Sequence, residues 1–176
     1  MHNRKTTYVQ DEVYQHLRDL SRFYQNMTED LVRTKNRLHK VLQITFPELE
    51  NILSAPTGEQ YWNLVITFPC NSFVLESDDA TLTAIIRQST SKRISEKRVT
   101  YLVDKLTKLA NHSYCAVKKT SPMMEEVKYY AGELLRLSEH RQGVVEEMVT
   151  LAQSLPEYEI LLSIPGIAET TATSII

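Results

Sequence analysis

The sequence is poor in the residues that build turns, cross-links and membrane spans. Its four glycines in 176 residues argue against a turn-rich all-β sandwich or barrel, and no GxGxxG or GxxxxGK[ST] phosphate loop can be written from it. Its two cysteines, Cys70 and Cys115, form no CxxC, which rules out a disulfide framework and a paired-cysteine zinc site. No stretch approaches the ~18 consecutive apolar residues of a membrane span, and the N-terminus lacks an apolar signal segment. We therefore expect a protein of the reducing cytoplasm with no membrane partner.

Charge is distributed unevenly along the chain, although the net charge is only −2. Residues 87–119 hold nine Lys and Arg against Glu96 and Asp104, which gives +7, whereas residues 120–160 hold three against eight Glu, which gives −5. Such blocks predict a surface that faces a polyanion, or else solvated helix faces. The densest basic cluster is Lys92, Arg93, Lys97 and Arg98.

Two stretches of the sequence show the apolar spacing of long heptad helices. In residues 14–44 the series has alternating steps of three and four: Leu17, Leu20, Tyr24, Met27, Leu31, Thr34, Leu38 and Val41. Residues 122–155 repeat the pattern: Val127, Tyr130, Leu134, Leu137, Arg141, Val144, Met148, Leu151 and Leu155. This a/d spacing predicts two rods that pair with one another as an antiparallel coiled coil, or with another chain.

Three short helices are predicted between the rods. Glu59–Phe68 has one apolar face, and the Ser77-Asp78-Asp79 and Ser95-Glu96 segments are typical helix starts. No segment shows the alternating pattern of a strand. We expect these helices to form a small basic bundle, with Trp62 in its core.

The chain closes with the sequence LLSIPGIAETTATSII. Its apolar residues and the Pro165-Gly166 turn predict a helix-hairpin-helix, in which turn backbone N–H groups point at a DNA phosphate. The alternative is a helix corner that binds nothing. Because the last helix has only just begun at Ile176, we also expect a truncated protein.

Together these patterns predict an all-α fold in four segments along the chain. Residues 1–55 would hold the first coiled-coil helix and its lead-in, and residues 56–119 the small basic bundle. Residues 120–156 would hold the second coiled-coil helix. Residues 157–176 would begin a truncated helix-hairpin-helix.

The sequence resembles one family, the DEDD-type insertion-sequence transposases related to the Piv DNA invertases. The resemblance lies in the heptad LRDLSRFYQNMTEDLVRTKNRLHKVLQITFPELE, in SKRISEKRV and in LLSIPGIAETTATSII. Its most specific parts are RTKNRLHKVL (Arg33–Leu42), the following Pro47-Glu48-Leu49, and the Ile164–Ile167 hairpin.

The resemblance implies an architecture that this chain would represent only in its middle. The family has a RuvC-like nuclease domain with four acidic ligands for divalent metal, then a coiled coil. A transposase domain with a nucleophilic serine follows. Family members bind DNA, in some cases through a structured guide RNA, and act as oligomers. We therefore expect no catalytic, cofactor-binding or metal-binding residue in this chain, which would be inactive alone, and DNA and a second copy of the chain as its partners.

The predicted DNA-binding residues are Lys92, Arg93, Lys97, Arg98, Pro165, Gly166, Ile167 and Ala168. The predicted function is DNA binding and oligomerisation in transposition and recombination. Two other readings stay open at this point: a stand-alone coiled-coil interaction module, and a helix-hairpin-helix accessory of DNA repair.

Overall fold

A computed structural model describes residues 12–176, so the first eleven residues of the first predicted segment lie outside the described part. Eight α-helices follow one another, and no strand is present in residues 12–176. Their bounds are α1 Glu12–Thr45, α2 Glu59–Thr67, α3 Asn71–Leu75, α4 Asp79–Gln88, α5 Glu96–His112, α6 Pro122–Ala152, α7 Pro156–Leu162 and α8 Glu169–Ile175, with a 3₁₀ helix at Pro47–Asn51. The predicted all-α class, with two long helices, is confirmed.

Compact packing divides the chain into two units. Of the described residues, the bundle unit holds Asp30–Ser138, and the helix-pair unit holds residues 12–29 together with Glu139–Ile176. Both long helices contribute to each unit, because the division falls inside α1 and inside α6.

The helix-pair unit packs the first part of α1 against the last part of α6. Leu17 and Met27 of α1 share a hydrophobic cluster with Val144 and Met148 of α6. The direction is antiparallel, because His16 lies 3.4 Å from Glu147 while Tyr24, further along α1, contacts Arg141, which comes earlier in α6. The two predicted helices therefore do pack together, and a coiled coil in the strict sense stays a prediction.

The charged residue in the predicted seam is accommodated by an aromatic ring. The Arg141 guanidinium carbon lies 5.6 Å from the centre of the Tyr24 ring, within the range of a cation–π contact. Both side chains are half-buried. This contact explains how an arginine occupies an otherwise apolar stripe.

The bundle unit encloses the larger core. The second part of α1 and the first part of α6 cover it, with Leu31, Leu38 and Leu134 all buried. The 3₁₀ helix, the helices α2 to α5 and residues next to them supply the rest, including Trp62, which is 3% exposed as predicted. The helices α3 and α4 both pack on α5, so α5 is the central support of this unit.

Helix starts follow the capping residues in the sequence. The carboxylate of Asp78 accepts a 2.8 Å hydrogen bond from the Thr81 N–H at the start of α4, and this bond lowers the pKa of Asp78. Ser121 precedes α6 and its hydroxyl accepts from the Met123 N–H at 3.3 Å. Such bonds satisfy N–H groups that a helix leaves without partners in its first turn.

Two features differ from the sequence expectation. The helix α6 ends at Ala152, whereas the heptad extended to Leu155, because the residue before Pro156 disfavours helical backbone. The helix α3 and the 3₁₀ helix were not predicted. No described helix is both long enough and apolar enough to cross a membrane.

Candidate nucleic-acid interface

The loop between α4 and α5 carries two of the predicted binding residues, Lys92 and Arg93. Hydrogen bonds to α2 fix the first residues of this loop. The Ser91 hydroxyl donates to the Glu59 carboxylate at 2.9 Å, and the Asn63 amide donates to the Ser89 carbonyl at 2.9 Å. These two hydrogen bonds connect the loop to α2. The backbone that carries the exposed side chains of Lys92 and Arg93 is therefore fixed in position.

The other two predicted cations, Lys97 and Arg98, lie in the first turn of α5. Ser95 caps this helix, and its hydroxyl accepts from the Arg98 N–H at 3.3 Å. Cations are unfavourable at a helix N-terminus, because the N–H groups there already carry partial positive charge. Only Glu96 meets the usual preference for an acid in this turn, and it forms an ion pair with Arg87 of α4.

The structure brings loop and helix start together around one open groove of about 670 Å³. The groove is lined by Arg87, Lys92, Arg93, Ile94, Ser95 and Glu96. We call the surface formed by this groove and the neighbouring Lys97 and Arg98 the basic patch. In residues 12–176, no acidic side chain pairs with Lys92, Arg93, Lys97 or Arg98. The patch therefore carries uncompensated positive charge beside the N-terminus of a 17-residue helix, an arrangement that attracts phosphate.

An aromatic residue that sequence reasoning missed lies next to the patch. Tyr101 is half exposed on α5. The Arg98 guanidinium carbon lies 5.2 Å from its ring centre, and the Lys105 ammonium lies 5.9 Å from it. The signal was present in the spacing, because residues three and four apart on a helix are neighbours. The ring holds Arg98 against the helix surface.

A second arginine-rich groove, of about 260 Å³, lies between α1 and α6 of the bundle unit. Two of its three arginines have acidic partners: Arg33 donates to Asp30 at 2.9 Å, and Arg136 donates to Glu133 at 2.9 Å. The Glu133 carboxylate raises the pKa of Arg136. Because these charges are compensated locally, the groove presents much less net positive charge than the basic patch.

The predicted hairpin residues lie between α7 and α8 in the helix-pair unit. Gly166 has φ of +93°, a backbone conformation that glycine adopts without strain. Pro165, Gly166 and Ala168 are exposed, whereas Ile167 packs against the unit's core. The exposed carboxylate of Glu169 opens α8 and opposes an approaching phosphate. The turn is where the sequence predicted it, but a DNA-binding helix-hairpin-helix stays a prediction.

The family's divalent metal requires clustered carboxylates. In residues 12–176, no group of three or more His, Cys, Asp or Glu side chains could hold a metal ion. Residues 12–176 therefore do not fit such a site.

A comparison with protein families finds a match for the first part of this sequence. Residues 1–47 match the family model of IS110-type DEDD transposases, described as transposase. The match covers α1 and the start of the 3₁₀ helix, and it confirms over this part of the chain the resemblance seen in the sequence. No curated protein matches, and no solved structure matches.

Proposed function

We propose that this chain, whose residues 1–47 match a transposase family, binds nucleic acid through the basic patch of α4 and α5. The match supports a transposase-related role, and transposases act on DNA. The single observation that carries the proposal is a group of four cations without an acidic partner, two in the loop before α5 and two in the first turn of α5. Two of them are placed where helix stability alone disfavours positive charge.

The expected contact is with the phosphate backbone and does not depend on base sequence. Lys and Arg side chains on an exposed helix start reach phosphate oxygens, and contacts to phosphate carry no sequence information. Four neutralised phosphates would make log affinity fall with log salt at a slope of roughly −3.6 on duplex DNA. We propose DNA as the main partner, and a structured RNA would meet the same charges.

A pair of matched double variants tests the basic patch. Lys97→Ala with Arg98→Ala removes two patch charges, and Lys40→Ala with Lys108→Ala removes two exposed charges outside it. Fluorescence anisotropy on a labelled duplex should give a salt slope of roughly −1.8 for the first variant, and a slope close to the wild-type value for the second. Equal losses in both variants would show that only overall charge matters, and would contradict the proposal.

The hairpin turn is proposed as a weaker second contact. In the exposed Pro165-Gly166 turn the donor toward a phosphate is the Gly166 N–H, because proline has no N–H and the Ile167 N–H donates to the Ile164 carbonyl at 3.1 Å. The Glu169 carboxylate limits the gain. The variant Glu169→Gln should therefore raise duplex affinity modestly if the turn touches DNA. Unchanged affinity in this variant would leave the basic patch as the whole interface.

Self-association through α1 and α6 is proposed for the full chain, as the family resemblance suggests. The apolar stripes of both helices are already buried within the chain. A second copy would therefore contact exposed apolar side chains such as Phe23 and Val32 of α1, which are 50% and 53% exposed. Sedimentation equilibrium of the wild-type chain and of Val32→Lys tests this, and a monomer at all concentrations would reject it.

A further inference from the structure

Tyr101 is an exposed aromatic side chain on α5, directly beside the basic patch. It is 50% exposed, whereas the next two residues of the helix, Leu102 and Val103, are buried in the core. The helix is therefore anchored on one face and presents the Tyr101 ring to solvent on the other. A ring placed in this way offers an accessible, flat, apolar surface.

Two cations contact this ring. The Arg98 guanidinium carbon lies 5.2 Å from the ring centre, and the Lys105 ammonium lies 5.9 Å from it. Arg98 comes three residues before Tyr101 and Lys105 four residues after it, so the two cations flank the ring along the helix axis, about 10 Å apart by the helical rise. In the part of the chain that the structure describes, neither cation forms an ion pair with an acid. We call these three side chains the Tyr101 stripe.

The charge beside the Tyr101 stripe differs between its two flanks. Asp104 is an exposed acid of the same helix. At about 100° per residue, it lies on the opposite flank of Tyr101 from Arg98 and Lys105. A polyanion that follows the stripe is therefore attracted to the flank with the two cations and repelled from the flank with Asp104.

Cations next to an exposed aromatic ring match the chemistry of an unpaired nucleotide. The phosphate attracts Lys and Arg, and the flat face of any base stacks on an aromatic side chain. In a duplex each base is covered by its neighbours in the stack, so a side chain on the protein surface does not reach the face of a base unless that base leaves the stack. The ring between the cations therefore favours a strand whose bases are free.

We propose that the Tyr101 stripe binds single-stranded DNA, with an unpaired base stacked on the Tyr101 ring and the neighbouring phosphates held by Arg98 and Lys105. This inference rests on the proposed function, because Arg98 belongs to the basic patch. The incoming base replaces one cation on the ring, and that cation moves to a phosphate. The exchange is favourable, since an exposed cation–π contact is worth less than the stacking of a base on an aromatic side chain.

Fluorescence anisotropy of the full chain with two labelled probes tests the inference. One probe is oligo-dT of about 15 nucleotides, within the common site sizes of single-strand binding, and the other is a duplex of the same length. Tyr101→Ala should weaken binding of oligo-dT about 5-fold or more. Its duplex affinity should change by less than about 2-fold, because every charge is retained. Tyr101→Phe keeps the ring and should keep the oligo-dT affinity.

Two results would overturn the inference. One is an equal loss of affinity for both probes in Tyr101→Ala, and the other is a loss in Tyr101→Phe as large as in Tyr101→Ala. The matched control is Tyr129→Ala, because Tyr129 of α6 is 66% exposed and lies outside the stripe. This control should leave oligo-dT affinity unchanged, and circular dichroism checks that all three variants keep native helicity. An equal loss in Tyr129→Ala would reject the assignment to Tyr101.

A second measurement detects the stacking itself. In Tyr101→Trp, oligo-dT should quench the fluorescence of the new indole. The chain's own Trp62 is 3% exposed, so the emission of the wild-type chain should stay constant. Unchanged emission of Tyr101→Trp at saturating oligo-dT would contradict the inference.

Failure of this inference is distinguishable from failure of the proposed function. If Lys97→Ala with Arg98→Ala leaves duplex affinity unchanged, the proposed function fails. If that double variant weakens duplex binding while Tyr101→Ala affects both probes alike, only the stacking inference fails. Oligo-U of the same length completes the test, because a loss in Tyr101→Ala confined to oligo-U would assign the ring to RNA and overturn the assignment to DNA.

Discussion

The two units of the chain differ in how much core supports them. The bundle unit buries four large aromatic side chains to 3% exposure or less, namely Phe46, Tyr61, Trp62 and Phe68. The helix-pair unit buries one such ring, Tyr158, among methionines, alanines and aliphatic residues. Aromatic rings supply large buried areas, whereas Met is flexible and Ala small. The proposed nucleic-acid surface therefore lies on the unit with the larger aromatic core.

The largest expected effect is in the bundle unit. Leu102 of α5 is fully buried, so Leu102→Ala should lower the free energy of unfolding by about 3 kcal/mol through lost burial and a residual cavity. Urea unfolding followed by circular dichroism measures it. The exposed Thr100→Ala on the same helix is the control, with a change within about 0.5 kcal/mol. A loss under about 1 kcal/mol for Leu102→Ala would contradict a tight core.

A smaller loss is expected in the helix-pair unit. Met148 is also fully buried, but its flexible neighbours can close part of the gap, so Met148→Ala should cost about 2 kcal/mol. Hydrogen exchange should show α7 and α8 losing protection before α5 in this variant. If Met148→Ala costs as much as Leu102→Ala and protection falls evenly, the two units do not differ as described.

The cap of α5 should contribute less than either core residue. Ser95→Ala removes the hydroxyl that accepts from the Arg98 N–H, and the expected cost is about 1 kcal/mol. Thermal unfolding of Ser95→Ala and Ser95→Asp measures it, with the aspartate retaining a cap. A stable alanine variant together with a destabilised aspartate variant would show that the cap has no role here.

The smallest effect is expected at the charged position of the seam. Arg141→Leu removes a cation–π contact with Tyr24 but adds apolar surface to the stripe. The lost cation–π contact and the gained apolar burial are each worth about 0.5–1 kcal/mol and have opposite signs. The free energy of unfolding should therefore change by less than about 1 kcal/mol. Tyr24→Leu serves as the matched partner. A loss above about 2 kcal/mol in Arg141→Leu would mean that Arg141 does more than stack on the ring.

Much of the fold could be predicted from the sequence, because the deciding signals are local. Heptad spacing located α1 and α6. Asp78 and Ser95 marked two helix starts, and each accepts a hydrogen bond from the N–H three residues ahead. The five-residue α3 was missed because it is too short to show helical periodicity.

The candidate site was less predictable, since it depends on contacts between distant segments. The sequence showed the cluster of Lys92, Arg93, Lys97 and Arg98, but not that Glu59 of α2 anchors their loop. The compensation of Arg136 by Glu133 was signalled in the sequence, because the two residues lie three positions apart on one helix.

The cations at the start of α5 lower the stability of the free protein and raise its affinity for a polyanion. Lys97 and Arg98 weaken the free helix there, and a bound polyanion relieves that repulsion, so binding and folding are linked. A saturating duplex should therefore protect the chain against heat, and Lys97→Glu should strengthen the free protein while weakening the complex. Selection for a more heat-resistant chain would be expected to erode this surface first.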